Sequence, residues 1–395
     1  MDGPAVDVVV IGGGVQGLVI LETLSAAGYG CLLVTDGDIG AGQTLHSHGF
    51  LNTGFGRFGP ELATAAATIV QPALRERGVT LRDNWVVLPP PGVPAFARFP
   101  PADLPAGFAA GLQATARTLP DRSFDKCQLV EALLKGREAR IIRGVVTGFR
   151  GRAPVEAVWV RPEGHGAAVV EVPTQAVVVA AGCGSKRLLQ DLVGTTPQLD
   201  QIKHRVVHMV CLRAPRAALP ATSIAALSLG LLLAAHDDGT QVTWYVTPME
   251  LGGPAVDAVP NDAAACPQPE LLRRARSALQ TLYPSLREVD GLRVGHYAGY
   301  RQDIGDQPGT RLCALIAGTG NVIAALPSGL VAPWLNAADV LALLGGLTAP
   351  RGEQPSLPGG GDGVRAGRPV EDRPAFNWMS WREWSEALDQ GGMRA

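Results

Sequence analysis

The chain begins with the run Val6-Asp7-Val8-Val9-Val10-Ile11, which leads straight into Gly12-Gly13-Gly14-Val15-Gln16-Gly17. An apolar β-run feeding G-x-G-x-x-G, an apolar helix-like segment to Ala27 and a second β-run at Cys31–Val34 form a complete βαβ unit. Each glycine has a physical task. Gly12 makes the tight turn, Gly14 lets the backbone approach a pyrophosphate, and Gly17 lets the helix pack on the strand. Val15 and Gln16 open the helix, where unpaired N–H groups and the positive end of the dipole suit phosphates. The alternative is a Gly-rich turn in a nucleotide-free α/β domain. The order strand, motif, helix, strand argues against it.

With 395 residues the chain has material for two or three domains. A net charge of −2 gives no case for nucleic acid or an anionic membrane as partner. The six cysteines are scattered with no C-x-x-C, as expected of free thiols in a reducing cytoplasm rather than disulfides or zinc ligands. The first apolar run follows acidic residues and enters the glycine motif, so it reads as a buried strand, not a signal peptide. The segment Ala225–Ala235 is too short to span a bilayer. A soluble cytoplasmic protein without a membrane span is expected.

Residues 61–78, 126–135, 271–282 and 332–344 carry helical patterns. Strands are expected at 139–146, 155–160, 177–182, 202–212, 241–247 and, as a further buried strand, at Cys313–Gly318. Residues 345–367 shift to Pro and Gly and read as a linker. The tail 375–388 holds three tryptophans and reads as a short amphipathic helix docked on the body or on a partner protein.

Beyond the glycine motif, four blocks resemble the FAD-dependent oxidoreductases of the D-amino-acid-oxidase type. That family holds glycine and sarcosine oxidases, dimethylglycine dehydrogenase and 2-hydroxyglutarate dehydrogenase. The blocks are Gly40-Ala-Gly42-Gln43-Thr44-Leu45-His46-Ser47-His48-Gly49, Val177–Gly182, Ala298-Gly299-Tyr300-Arg301, and Gly318-Thr-Gly320 with Leu326-Pro327-Ser328-Gly329-Leu330. The resemblance implies an α/β fold: a Rossmann-like doubly wound FAD domain with an inserted antiparallel-sheet substrate domain. It implies an FAD domain in three parts (1–84, 126–200, 291–345), a substrate domain in two (85–125, 201–290) and the tail 346–395. It further implies FAD contacts from Gly42, Gln43 and Thr44 at the pyrophosphate and from His46 near the ring. Val146 would lie at the adenine, Ala181 and Gly182 beside the cofactor, and Gly318, Pro327, Ser328, Gly329 and Leu330 over the flavin.

One departure stands out. Relatives usually carry Glu at the end of the second strand, for the adenosine ribose. Here that position falls on Thr35, with Asp36 next; either Asp36 reaches the ribose after a one-residue shift, the favoured reading, or Thr35 makes a weaker contact.

The resemblance makes Arg301 the substrate-carboxylate ligand, a role its planar fork suits. On a strand, Tyr297 and Arg301 share one face while His296 and Tyr300 share the other, and only one face can meet the flavin. His46 matches a histidine that is linked to the flavin in dimethylglycine dehydrogenase; a hydrogen bond near the ring is the alternative. His48 is a candidate base, a stabiliser of reduced-flavin charge, or a ligand of its own loop. His46 and His48 lack further ligands for a metal.

The expected activity is hydride transfer from a C–N bond of an amino acid or amine to flavin, with an anionic substrate held by Arg301. One alternative is C–OH oxidation of a 2-hydroxy acid. Another is a non-catalytic flavin-binding subunit, which the Trp-rich tail supports.

Overall fold

The computed structural model describes residues 5–51, 60–88, 99–164, 166–248, 255–256, 269–305, 310–327, 329–352, 361, 363–374 and 376–390. In chain order the strands are β1 (Val6–Ile11), β2 (Cys31–Thr35), β3 (Phe50–Leu51), β4 (Leu81–Val87), β5 (Ala116–Phe124), β6 (Ile141–Arg150), β7 (Ala157–Pro162), β8 (Val170–Val179) and β9 (Ile202–Pro215). They continue with β10 (Ser223–Ala226), β11 (Leu231–Asp237), β12 (Gln241–Pro248), β13 (Ala255–Val256), β14 (Arg293–Ile304), β15 (Leu312–Leu315), β16 (Val322–Leu326) and β17 (Met379–Ser380).

The first sheet has a parallel centre in the order β6-β2-β1-β8-β16. Strand β1 is apolar at nearly every position because both of its faces are covered. Val8 and Val10 face a core shared with the helices Val15–Ala26 and Ala332–Gly345, while Val9 and Ile11 face a second core with Leu189 and Leu192. Strands β6 and β8 are ten residues long and do two jobs. One end of each lies in the parallel sheet, and the other pairs antiparallel with β7.

One strand assignment needs correction. The expected buried strand Cys313–Gly318 is the exposed edge arm β15, and the buried strand beside β8 is β16. The two form a hairpin whose turn carries Gly318 and Gly320, both at positive φ. Both arms are short apolar runs, so periodicity alone does not tell the inner one from the outer one.

The second sheet runs β17-β14-β9-β12-β11-β10-β4-β5-β3 and is antiparallel apart from the β10–β4 pair. Its far face carries Val210, Leu212, Trp244 and Val294, covered by the helices Pro269–Leu282 and Trp381–Asp389. Trp381, Trp384 and Leu388 of the last helix are buried there, so the amphipathic tail docks on its own chain. A capping box between Ser380 and Glu383 starts that helix. The near face of β9, β12 and β14 points to the loop that follows β2.

Candidate active site

Geometry at the glycine turn matches its sequence. Gly12 sits at φ 125°, and a Cβ there would lie 2.3 Å from the Ala180 carbonyl oxygen, so the turn is pressed against the end of β8. A Cβ on Gly17 would lie 1.9 Å from the Gly12 oxygen, which fixes the helix against the turn. Gly14 is different. A Cβ there would meet only the Thr44 hydroxyl, at 3.4 Å. The helix beginning at Val15 has no acidic residue in its first turn and no side-chain cap on Gly14. The Val15 N–H donates to Thr44 Oγ1 at 3.1 Å. The Gln16 side chain turns inward, donating to the Pro333 oxygen (3.4 Å) and accepting from Asn336 (3.0 Å), so only its backbone belongs to the open helix end.

At the end of β2, Thr35 is buried. Its hydroxyl donates to the Gly37 oxygen at 3.1 Å and lies under Gly13. Asp36 is exposed at the surface. Asp38 is engaged by Arg143 (2.9 Å) and Arg365 (3.1 Å). Val146 is half-buried in the β6–β7 ladder opposite Val160.

The loop with Gly42, Gln43, Thr44, His46 and His48 is held from three directions. Gly42 is exposed and caps the short helix Gln43–His46. Gln43 Oε1 accepts from the Gln302 N–H at 3.5 Å. Three consecutive carbonyls then take three side-chain donors: Tyr297 hydroxyl to His46 O (3.0 Å), Lys126 Nζ to Ser47 O (3.0 Å) and His236 Nε2 to His48 O (3.1 Å). The His48 ring is tied to its own loop, with Nδ1 accepting from the Phe50 N–H at 3.0 Å. His46 Nε2 is buried without a hydrogen-bond partner among the described residues. Burial, then the charges of Arg373 and Lys126, pulls the His46 pKa down to about 4. Burial, then Lys126 and Arg301, does the same for His48. Both rings are therefore neutral at physiological pH.

Strand β14 presents Tyr297, Gly299 and Arg301 to this loop. A Cβ on Gly299 would lie 3.2 Å from His46 Nδ1, so glycine is what lets strand and loop meet. His296 faces the other way, where its ring stacks on His208. Arg301 is not loose. Its Nη2 donates to Asp303 Oδ2 at 2.8 Å, and Arg205 Nε on β9 donates to the same oxygen at 2.8 Å. Asp303 is only 2% exposed, so two guanidiniums share one buried carboxylate. Arg301 Nε is buried without a hydrogen-bond partner among the described residues.

Ala181 and Gly182 form the turn after β8, with Gly182 at φ 53°. The Cys183 thiol in that turn is raised to about 12 by burial and then by Asp303, so the turn adjoins the far end of β14. Gly318 lies in the β15–β16 turn, and Pro327, Gly329 and Leu330 connect β16 to the helix Ala332–Gly345. Ser328 lies outside the described residues.

Several residues of this arrangement carry no sequence motif: Lys126, Arg205, His236, Tyr245, Asp303, Glu371 and Arg373. Lys126 begins a helix whose buried side is otherwise apolar (Leu129, Val130, Leu133 and Leu134), the one local hint of a buried cation. The rest come from strands and a tail distant in sequence.

The donors fit a dinucleotide cofactor. An uncapped helix end suits phosphate, the space before Gly14 admits close approach, and the Thr44 hydroxyl already sits where a phosphate oxygen would accept from Val15. The orphaned His46 Nε2 supplies a polar contact further along the same loop.

The family model described as FAD dependent oxidoreductase, of the DAO type, matches residues 7–326. The chain belongs to this family. FAD is its cofactor, and it is an oxidoreductase. Among solved structures it resembles an FAD-dependent oxidoreductase from Pseudomonas aeruginosa, at 22% identity over 94% of this chain and 98% of that one, with a TM-score of 0.69. It also resembles L-proline dehydrogenase from P. horikoshii (16% identity, 90% and 98% coverage, TM-score 0.65) and glycine oxidase from Geobacillus kaustophilus (19%, 87% and 96%, 0.63). At these identities the likeness shows the shared fold: a Rossmann-like FAD unit joined to a second, largely antiparallel sheet. A search of curated proteins finds no match. Among the described residues no helix is long and apolar enough to cross a membrane.

Proposed function

We propose that this FAD-dependent oxidoreductase oxidises a C–N bond of an amino acid or a primary or secondary amine that carries an anionic group. The observation that carries the reading is the Arg205–Asp303–Arg301 cluster. Two guanidiniums against one buried carboxylate leave an excess of positive charge, and Arg301 keeps Nε unpaired, on the β14 face that meets His46. Such a cluster favours an incoming carboxylate, and Asp303 fixes the Arg301 plane in advance.

When bound, FAD supplies the hydride acceptor, and the difficult redox step is the cofactor's own. The chain's residues orient and adjust protons. Arg301 holds the anionic group and so aims the substrate carbon. His46 is neutral and its Nε2 has no partner among the described residues, so it can hydrogen-bond an incoming neutral amine; its lowered pKa makes it a poor base, and the ammonium gives up its proton to solvent before its C–H bond is oxidised. His48 keeps its loop in shape. Asp36, the exposed acid at the end of β2, is the proposed ribose ligand. Gly42, Gln43, Thr44, Val146, Ala181, Gly182, Gly318, Pro327, Gly329 and Leu330 are the proposed frame of the cofactor.

Relatives by fold include proteins titled L-amino acid deaminase, glycine oxidase and iminodiacetate oxidase, each acting on a substrate with a C–N bond and a carboxylate. That set supports an amine over a 2-hydroxy acid. Of the tryptophans that suggested a partner subunit, Trp381 and Trp384 are packed inside the chain and Trp378 is half-buried against it. The test is anaerobic bleaching of the flavin by amino acids and N-alkyl amino acids. Bleaching by 2-hydroxy acids alone would replace the reading with C–OH oxidation.

A further inference from the structure

The C-terminal segment after residue 360 follows the cofactor-wrapping loop. The Ile39 N–H donates to the Arg365 oxygen (3.0 Å), the Gly367 N–H donates to the Ile39 oxygen (2.7 Å), and Arg373 donates to the Ala41 oxygen (3.1 Å). Between these contacts the segment places Glu371 on the near face of the second sheet. Glu371 is 2% exposed. Its Oε1 accepts from the Tyr245 hydroxyl, its Oε2 is buried without a hydrogen-bond partner, and its carbonyl accepts from Trp378 Nε1 at 3.1 Å.

The Tyr245 ring lies beneath Lys126 Nζ, 3.9 Å from the ring centroid. Lys126 is wholly buried, and its one hydrogen bond given by the structure goes to the Ser47 carbonyl, between His46 and His48. A continuous path therefore runs from Glu371 through Tyr245 and Lys126 to the loop. Among the described residues Lys126 has no ion pair, and the buried Glu371 holds the hydroxyl end of its aromatic partner.

We propose that Glu371 is a positioning residue for FAD. It anchors the Tyr245 ring on which Lys126 rests, keeps Lys126 seated on Ser47, and so fixes the loop that presents Thr44, His46 and His48 to the cofactor. The C-terminal segment is then part of the cofactor site rather than an appendage. The inference holds whichever substrate the enzyme takes, because it concerns cofactor binding alone.

The test is FAD titration of the full-length apoprotein, followed by fluorescence quenching, for wild type, Glu371→Gln, Tyr245→Phe and the double variant. Loss of a charge-assisted contact in series predicts FAD affinity about tenfold weaker in each single variant, and a double variant no weaker than the worse single one. The visible band of the bound flavin should shift in both. If the flavin is covalent, the same comparison is read as the fraction of chains carrying it. FAD affinity and flavin spectrum at wild-type values in Glu371→Gln, with only the melting temperature lowered, would overturn the proposal and leave Glu371 a packing residue. Should Glu371→Gln fail to fold, Tyr245→Phe decides. It keeps the ring under Lys126 and cuts the link to Glu371, and wild-type FAD binding in it contradicts the proposal.

Discussion

The Tyr297 hydroxyl on β14 donates to the His46 carbonyl oxygen at 3.0 Å, and this bond joins the antiparallel sheet to the loop that follows β2. The rings of the two residues lie 5.7 Å apart, and Gly299, two residues on, leaves room for the His46 imidazole. Under the proposed function, the relative placement of substrate and flavin depends on this seam. Tyr297→Phe removes one buried bond and leaves the His46 oxygen unpaired, a loss of about 1–2 kcal/mol. The expected result is a melting temperature lower by a few degrees and weaker FAD retention on gel filtration. Unchanged retention would remove the bond from the account of the site.

Arg301 and Asp303 separate recognition from folding. Arg301→Lys keeps the charge and loses the planar fork, so KM for a carboxylate substrate should rise about 10–100-fold while kcat falls less. Asp303→Asn should act differently. It leaves two half-buried guanidiniums without their counter-charge and should destabilise the fold by about 3–5 kcal/mol. Steady-state kinetics and urea unfolding on both variants distinguish the roles. Equal effects of both on stability alone would make Arg301 structural.

The glycines of the first turn divide the same way. Gly17→Ala puts a Cβ 1.9 Å from the Gly12 oxygen and should prevent a stable fold. Gly14→Ala meets only the Thr44 hydroxyl and should fold, with weakened FAD binding because the methyl occupies the phosphate approach. Circular dichroism and flavin absorbance of the two purified proteins check this pair. A folded Gly17→Ala protein with full flavin content would refute the packing role.

Stability should fall steeply in mild acid. Burial, ahead of neighbouring cations, lowers His46 and His48 to about 4 and His236 to about 3; His296, buried beside His208, is also lowered to about 3. In the unfolded chain these groups bind protons near pH 6.5. Between about pH 6.5 and about pH 4 the unfolded state therefore holds more protons, so stability rises with pH. The contribution is complete above about pH 6.5 and is lost on acidification, at about 1.4 kcal/mol per pH unit for each histidine fully in that regime. Urea midpoints at about pH 7.5, 6 and 5 measure it. A flat profile would mean that these rings bind protons in the folded protein as they do in the unfolded chain.

Local sequence carried much of the fold because local physics decides it. The run Val6–Ile11 is apolar on both faces and enters three glycines, an arrangement that few structures other than a buried strand and phosphate turn accommodate. Alternation along β14 puts Tyr297 and Arg301 on one face, as the strand period requires. What sequence did not disclose arises over long separations. Lys126, Tyr245 and Glu371 meet only after the chain has crossed both sheets, and none sits in a motif. Thr35 and Asp36 were ambiguous by one residue. The structure buries the first under Gly13 and exposes the second, an outcome of packing that counting does not give.

The most direct measurement is the visible spectrum of the purified protein, mixed without oxygen with a panel of amino acids, N-alkyl amino acids and 2-hydroxy acids, for wild type and Arg301→Ala. The account requires a flavin band in the resting protein that is bleached by at least one amine bearing a carboxylate, and bleached far less readily in the variant. A flavin band that no amine bleaches, or one bleached equally well in Arg301→Ala, would contradict it.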